Sequence, residues 1–163
     1  MKLENPHLDH FPSLVAMFFD RAEKGGDDPF LWRKADRAWQ PLSWREVAEQ
    51  VSALAHNLRK LGLKEGDRVV LVGENRPEWC IADLGIMAAG CITVPTYTTN
   101  TERDHQHILD NSGAKAVIVT TRLASERITA GISARASFAV ETITAFAPLL
   151  SRICWWSRSV LVV

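Results

Sequence analysis

Residues 68–79 read RVVLVGENRPEW. After its first residue the run Arg68–Val72 is apolar on both faces, as in a parallel strand covered by helices on each side. A glycine ends it, a short polar turn follows, and Pro-Glu-Trp opens a helix. In that turn Asn75 is read as the helix cap. Pro77 fits the first turn, where a missing N–H costs little. A strand feeding a helix this way is how a nucleotide-binding α/β protein begins its site. The question is whether this turn holds a nucleotide. A dinucleotide fold needs G-x-G-x-x-G here, so that the backbone can approach the pyrophosphate. A mononucleotide loop needs G-x-x-x-x-G-K-[ST]. GENRPEW has one glycine, then an acid that repels phosphate, and no lysine. The turn reads as scaffold.

The neighbouring segments extend the same pattern. The helix after the turn runs to about Ala89 and is apolar almost all round (Trp79, Ile81, Leu84, Ile86, Met87), so it is expected in the core. Gly90 closes it. Cys91–Val94 is a short apolar strand that Pro95 is expected to stop. A threonine-rich loop, TYTTNT at 96–101, leads to a helix opened by Thr101 and Asp104 as a capping box. Ile108 and Leu109 give this helix its apolar contact, and Asn111-Ser112-Gly113 ends it. Ala116–Val119 is one more buried strand. Strand–helix–strand–helix–strand over residues 68–121, with short connections, predicts a parallel α/β layer with flanking helices.

Upstream, Ser13 opens a helix that runs through Lys24 and stops at Gly25-Gly26. Pro29–Trp32 and Ala38–Leu42 read as a β-hairpin joined by the polar stretch KADR at 34–37. Ser43 and Glu46 make an S-x-x-E capping box. Val47, Val51, Leu54, Leu58 and Leu61 then form one apolar stripe at helical spacing, and Gly62 ends the helix. Glu65-Gly66-Asp67 is a turn into the strand at 68.

The totals set limits. The chain has 163 residues, one domain of ordinary size, and 47% are hydrophobic against 23% charged. Lys+Arg and Asp+Glu both number 19, so no basic excess points to nucleic acid. Cys80, Cys91 and Cys154 are isolated and form no C-x-x-C pair, which argues against zinc or a disulfide framework. They suit a reduced, cytoplasmic setting. MKLENPHLDHFP is not a secretory signal, and no apolar run reaches the roughly 20 residues of a membrane span.

Isolated candidates for chemistry are weak. His105 and His107 stand two apart, which on a helix points them to nearly opposite sides. Both read as solvent-facing, not as metal ligands. His56 lies off its helix's apolar stripe. No Ser in the first 122 residues sits in a G-x-S-x-G elbow. Cys80 reads as a small core residue.

In order and spacing, LSWREV (42–47), LRKLGLKEGDRVVLVGENRPEW (58–79), GIMAAGCITVPTYTTNT (85–101) and HILDNSGAKAVIV (107–119) resemble the N-terminal part of the adenylate-forming, or AMP-binding, enzymes. VPTYTTNT looks most like the long-chain fatty acid–CoA ligase branch. The resemblance covers residues 13–121. It implies an incomplete N-terminal portion of that fold. For a full-length relative it implies ATP, Mg²⁺ and coenzyme A as cofactors, and a fatty acid as substrate. It also implies a cytoplasmic protein, at most peripheral to the inner face of the membrane. The carboxylate would attack the α-phosphate to give an acyl-adenylate and pyrophosphate, and the thiol would then displace AMP. The family's Ser/Thr/Gly-rich phosphate loop and catalytic lysine come later than this sequence reaches. The last lysine is Lys115, and the only glycine after Gly113 is Gly131. So no catalytic, cofactor-binding or metal residue carries over. Ser43, Glu46, Gly66, Asp67, Asn75, Pro77, Glu78, Gly90 and Pro95 carry over as structural motif positions alone. The expected role is an N-terminal piece of such a ligase, inactive by itself. The alternatives are a non-catalytic α/β interaction module, or a piece of an adenylate-forming ligase for another acid or acceptor.

Residues 1–122 are thus read as this N-terminal part, and 123–163 as an atypical tail. The tail has no lysine or aspartate, gains Ala, Ser and Arg, and carries the pair Trp155-Trp156. That is what a GC-rich gene gives out of frame, so poor order is expected, with helix only over about 123–130. A membrane-surface tail is the competing reading. The absence of a helical period and the presence of Pro148 argue against it.

Overall fold

The computed structural model describes residues 11–119, and by backbone the strand residues 141–143 and 160–162. Two compact units meet at Gln50/Val51, within one helix.

The first unit begins with α1 (Leu14–Gly25), whose cap Ser13 accepts from the Ala16 N–H. Strands β1 (Pro29–Ala35) and β2 (Ala38–Ser43) pair as an antiparallel hairpin. The strands are longer than the sequence suggested. Lys34 and Ala35 belong to β1, and only Asp36 (φ 50) and Arg37 (φ 62) make the turn. Two consecutive left-handed residues match the right-handed twist of a hairpin, which explains why so short a turn suffices. Helix α2 (Trp44–Lys60) follows. The expected capping box is present: the Ser43 N–H donates to Glu46 Oε2 (2.8 Å) and the Glu46 N–H to Ser43 Oγ (3.2 Å). Trp44 stacks on Phe30 with ring centroids 3.6 Å apart, and Phe18 lies against both rings. A Cβ on Gly25 would run into the Trp44 indole.

In the second unit β3 (Arg68–Val72) lies between two parallel neighbours, β4 (Ile92–Thr96) and β5 (Ala116–Val119). Helix α3 (Pro77–Ala88) connects β3 to β4, and α4 (Glu102–Ser112) connects β4 to β5. The chain moves outward to β4 and then returns across β3, so crossovers of one hand put the helices on opposite faces. The packing agrees. Val69, Leu71, Ala116 and Ile118 share a core with Ile86, Ala82, Leu54 and Leu58. Val70, Val72, Val117 and Val119 face the other way, against Ile108 and Leu109. This is the predicted parallel layer.

Three sequence readings need correcting here. Pro95 does not stop β4; it pairs with Leu71 inside the strand. β4 is the edge of the sheet, where a missing N–H leaves no neighbour unsatisfied. Leu84 and Trp79 are half-buried, whereas Ile86 and Ile81 form the buried stripe of α3. The sheet also extends beyond the predicted parallel strands. β6 (Glu141–Ile143) and β7 (Val160–Val162) extend it antiparallel, giving the order β4-β3-β5-β7-β6. Both lie where the apolar residues show no sustained period and no strand was assigned. The helix expected at 123–130 and the order expected of the rest of the tail lie outside the described residues.

Candidate functional site

Because β3, β4 and β5 are parallel, the layer has one edge where strands enter and one where they leave. The entry edge is bound by backbone contacts. Gly66 N–H donates to Gly90 O (2.9 Å), Ile92 N–H to Asp67 O (2.9 Å), and Lys115 N–H to Arg68 O (2.8 Å). Gly66 (φ +80) and Gly90 (φ +78) are both left-handed, which favours glycine at each. The Asp67 carboxylate accepts from the Lys64 N–H (2.8 Å) and fixes the turn. Arg68 donates to Ser112 O (2.8 Å) and Gly113 O (3.2 Å), placing its charge at the carboxyl end of α4. Three of the motif positions, Gly66, Asp67 and Gly90, thus form a structural clasp.

The exit edge is where open α/β sheets hold ligands. It comprises Gly73–Glu78 after β3 and Thr96–Asp104 after β4. Asn75 is exposed and does not cap α3. The cap position is Arg76, in extended conformation (φ −137, ψ 160), and no side-chain hydrogen bond caps the helix there. Pro77 stands at the first helical position as expected, and is buried. A residue before proline is driven to extended backbone, so Pro77 itself fixes Arg76 as the cap. Glu78 sits in the first turn with Oε2 buried, 3.5 Å from Arg76 Nε, an ion pair too long for a hydrogen bond.

After β4, Thr96 is buried and its Oγ1 accepts from Asn100 Nδ2 (2.7 Å), while Tyr97 projects into solvent. The predicted box at α4 forms: the Asp104 N–H donates to Thr101 Oγ1 (3.3 Å) and the Thr101 N–H to Asp104 Oδ2 (3.0 Å). The Thr101 hydroxyl and N–H together hold the Asp104 carboxyl below its ordinary range.

This edge does not fit a nucleotide phosphate. Helix N-termini attract phosphate when their N–H groups are free. At α3 the first position is a proline and the Trp79 N–H returns to Arg76 O (3.0 Å). Glu74 and Glu78 add negative charge beside Arg76. At α4 the box occupies the Thr101 and Asp104 N–H groups, and the acids Glu102 and Asp104 stand in the first turn. The turn at 73–78 carries one glycine and no lysine. Among the described residues no group of three His, Cys, Asp or Glu could hold a metal. No described helix is long and apolar enough to cross a membrane.

Burial, followed by the Asp83 charge, pushes the Cys80 thiol up, and burial likewise raises Cys91, so neither is poised as a thiolate. His107 is exposed as expected, but His105 is buried, against the reading of both as solvent-facing. It lies on one face with Ile108 and Leu109, at spacings of three and four. That signal was present in the sequence.

A family model described as AMP-binding enzyme matches residues 18–153. The chain belongs to the AMP-binding enzyme family. The match continues past residue 122. Over 109 residues the chain is 35% identical to the long-chain-fatty-acid–CoA ligase FadD15 of Mycobacterium tuberculosis, covering 67% of this chain and 18% of that protein. It is 34% identical to a long-chain-fatty-acid–CoA ligase of Salmonella typhimurium over 71% of this chain and 20% of that one. The chain thus spans about a fifth of the curated relatives' length. Among solved structures, a fatty acid AMP ligase from Legionella pneumophila aligns with TM-score 0.64 at 26% identity, over 74% of this chain and 21% of that one. The N-terminal subdomain of Klebsiella oxytoca NpsA, in complex with 3-hydroxybenzoyl-AMSN, aligns with TM-score 0.59 at 31% identity, over 66% of this chain and 26% of that one. The AMP-binding family and its α/β fold are as the resemblance implied.

Proposed function

We propose that this chain supplies the N-terminal scaffold of an ATP-dependent long-chain fatty acid–CoA ligase and forms no acyl-adenylate alone. The supporting observation is the exit edge itself. It has the family's strand–turn–helix frame, yet its helix ends are filled by Pro77 and by the Thr101–Asp104 box. In the complete enzyme, ATP, Mg²⁺ and coenzyme A would carry a fatty acid to its thioester. The residues described here would contribute position and rigidity, not groups that touch phosphate. The curated relatives support long-chain fatty acids as the substrate class. The structural neighbours favour a second reading, a ligase for another acid or acceptor, since one is a fatty acid AMP ligase and another holds an aryl adenylate analogue.

The test is pyrophosphate release by the purified chain with palmitate, ATP and Mg²⁺. No release above a heat-treated control is expected. Robust turnover abolished by a point mutation in this chain would overturn the proposal. The genomic DNA after the Val163 codon gives an independent check. A Ser/Thr/Gly-rich phosphate loop there, in frame or one base away, supports a ligase. Its absence favours a non-catalytic module.

A further inference from the structure

Within the β1–β2 hairpin, register places Trp32 opposite Pro41 and Lys34 opposite Trp39. Residues two apart on a strand share a face, so these four make one surface with the two indoles on its diagonal. All four are exposed, Trp32 at 51% and Trp39 at 66%. Arg33 and Gln40 turn to the other face, where the Arg33 guanidinium donates to Gln40 Oε1 (3.4 Å). Arg37 stands at the exposed tip. The hairpin thus holds Arg33, Lys34 and Arg37 against the single acid Asp36, in a chain whose net charge is zero. The unit's aromatic cluster uses Phe18, Phe30 and Trp44, so it does not account for these two indoles.

We infer that the Trp32–Lys34–Trp39–Pro41 face takes an acidic, proline-containing segment of a partner protein, held as a polyproline II helix. Spacing, donors and charge together set that chemistry. Diagonal positions on paired strands lie about 7–8 Å apart. A polyproline II helix repeats every three residues, or about 9 Å, so proline rings on successive turns reach one indole and then the other. The uncharged donors of this face are the two indole N–H groups. Polyproline II carbonyls make no internal bonds and are free to accept from them. Lys34 lies opposite one indole and two residues from the other, so a carboxylate on the ligand is attracted and a lysine is repelled. Such a segment is already extended before it binds, which limits the entropy lost. A second copy of the chain fits less well. Two indoles offer at most about 300–500 Å², short of the roughly 800 Å² per partner of a stable interface. Two such faces would also oppose like charges. This inference does not depend on the ligase reading.

Isothermal titration of the full chain with three acetylated peptides tests it. One has four Glu-Pro-Pro repeats, which line every carboxylate along one edge of the helix. The others have four Lys-Pro-Pro and four Glu-Gly-Ser repeats. The Glu-Pro-Pro peptide is expected to bind at least about tenfold tighter than either, and to weaken with added salt. Trp32→Thr with Trp39→Thr keeps strand-favouring residues and should abolish binding. Lys34→Glu keeps both indoles and should reverse the order of the Glu-Pro-Pro and Lys-Pro-Pro peptides. That reversal decides the matter if the first variant fails to fold. No binding of the Glu-Pro-Pro peptide, equal binding of all three, or an unchanged order with Lys34→Glu overturns the inference. Binding to phosphatidylglycerol vesicles in place of the peptide assigns the face to lipid and overturns it as well. So does protection of Trp32 and Trp39 from oxidation by a longer form of the polypeptide with no peptide added.

Discussion

Gly85→Ala sets two effects of similar size against each other. In an exposed helix the change would stabilise by about 1 kcal/mol, because alanine loses less backbone freedom than glycine. Here a Cβ at residue 85 would lie 2.6 Å from Leu54 Cδ2, 2.8 Å from Cγ and 3.0 Å from Cβ. A rotamer change could move the first two atoms, but not the Leu54 Cβ, which is fixed to the α2 backbone. Leu54 is itself fully buried among Leu58, Ile86 and Ala82, so it has no space to enter. Overpacking of this kind costs about 1–3 kcal/mol and exceeds the propensity gain. A net loss of up to about 2 kcal/mol is expected, read as a lower urea midpoint with unchanged slope. Leu54→Ala alone should cost about 2–5 kcal/mol. In the double variant the added methyl partly fills the space, so the combined loss should fall short of the sum by at least about 0.5 kcal/mol. A neutral or stabilising Gly85→Ala, or strict additivity, would refute the close approach of α3 and α2.

Ile86→Ala should cost about 2–5 kcal/mol by thermal or urea unfolding, and Leu84→Ala clearly less, since only the first is fully buried. Arg68→Ala should cost about 1–2 kcal/mol by leaving the Ser112 and Gly113 carbonyls without their charged donor, and Arg68→Lys should not restore them both. Burial holds the His105 imidazole below its ordinary range. The unfolded chain therefore binds the extra proton first, and stability should fall as pH drops through about 6.5 and level off below the folded value. A His105→Gln variant should show a flatter pH dependence of its unfolding midpoint over that window; an unchanged slope would exclude His105 as the source. Thr101→Ala should cost about 1 kcal/mol by uncapping α4, seen as faster amide exchange in its first turn.

The local features were readable because their causes lie within a few residues. The Ser43/Glu46 and Thr101/Asp104 boxes, the β3 run and the stripe of α2 all formed as expected. Misreadings came where a second rule applied. Asn75 is a good cap by type, but Pro77 forces the extended conformation onto Arg76. Pro95 ends most strands, yet not one whose outer side faces no partner, and edge position follows from the return of the chain across β3. His105 was judged by its distance from His107, when its spacing to Ile108 and Leu109 determined its surroundings. The exit edge was legible in one respect, that GENRPEW lacks the glycines and lysine of a phosphate loop. The occupation of both helix ends by their own residues required the geometry.

Alternation along β3 and β5 has a consequence for how the second unit can be divided. Val69, Leu71, Ala116 and Ile118 serve one core while Val70, Val72, Val117 and Val119 serve the other. Each peptide bond within 69–72 and 116–119 therefore joins a residue of one core to a residue of the other. Neither side can open while the other stays intact, so loss of α4 should be felt at α3 through the shared backbone. A split-protein pair made by cutting within 68–119 would have to reassemble both cores at once.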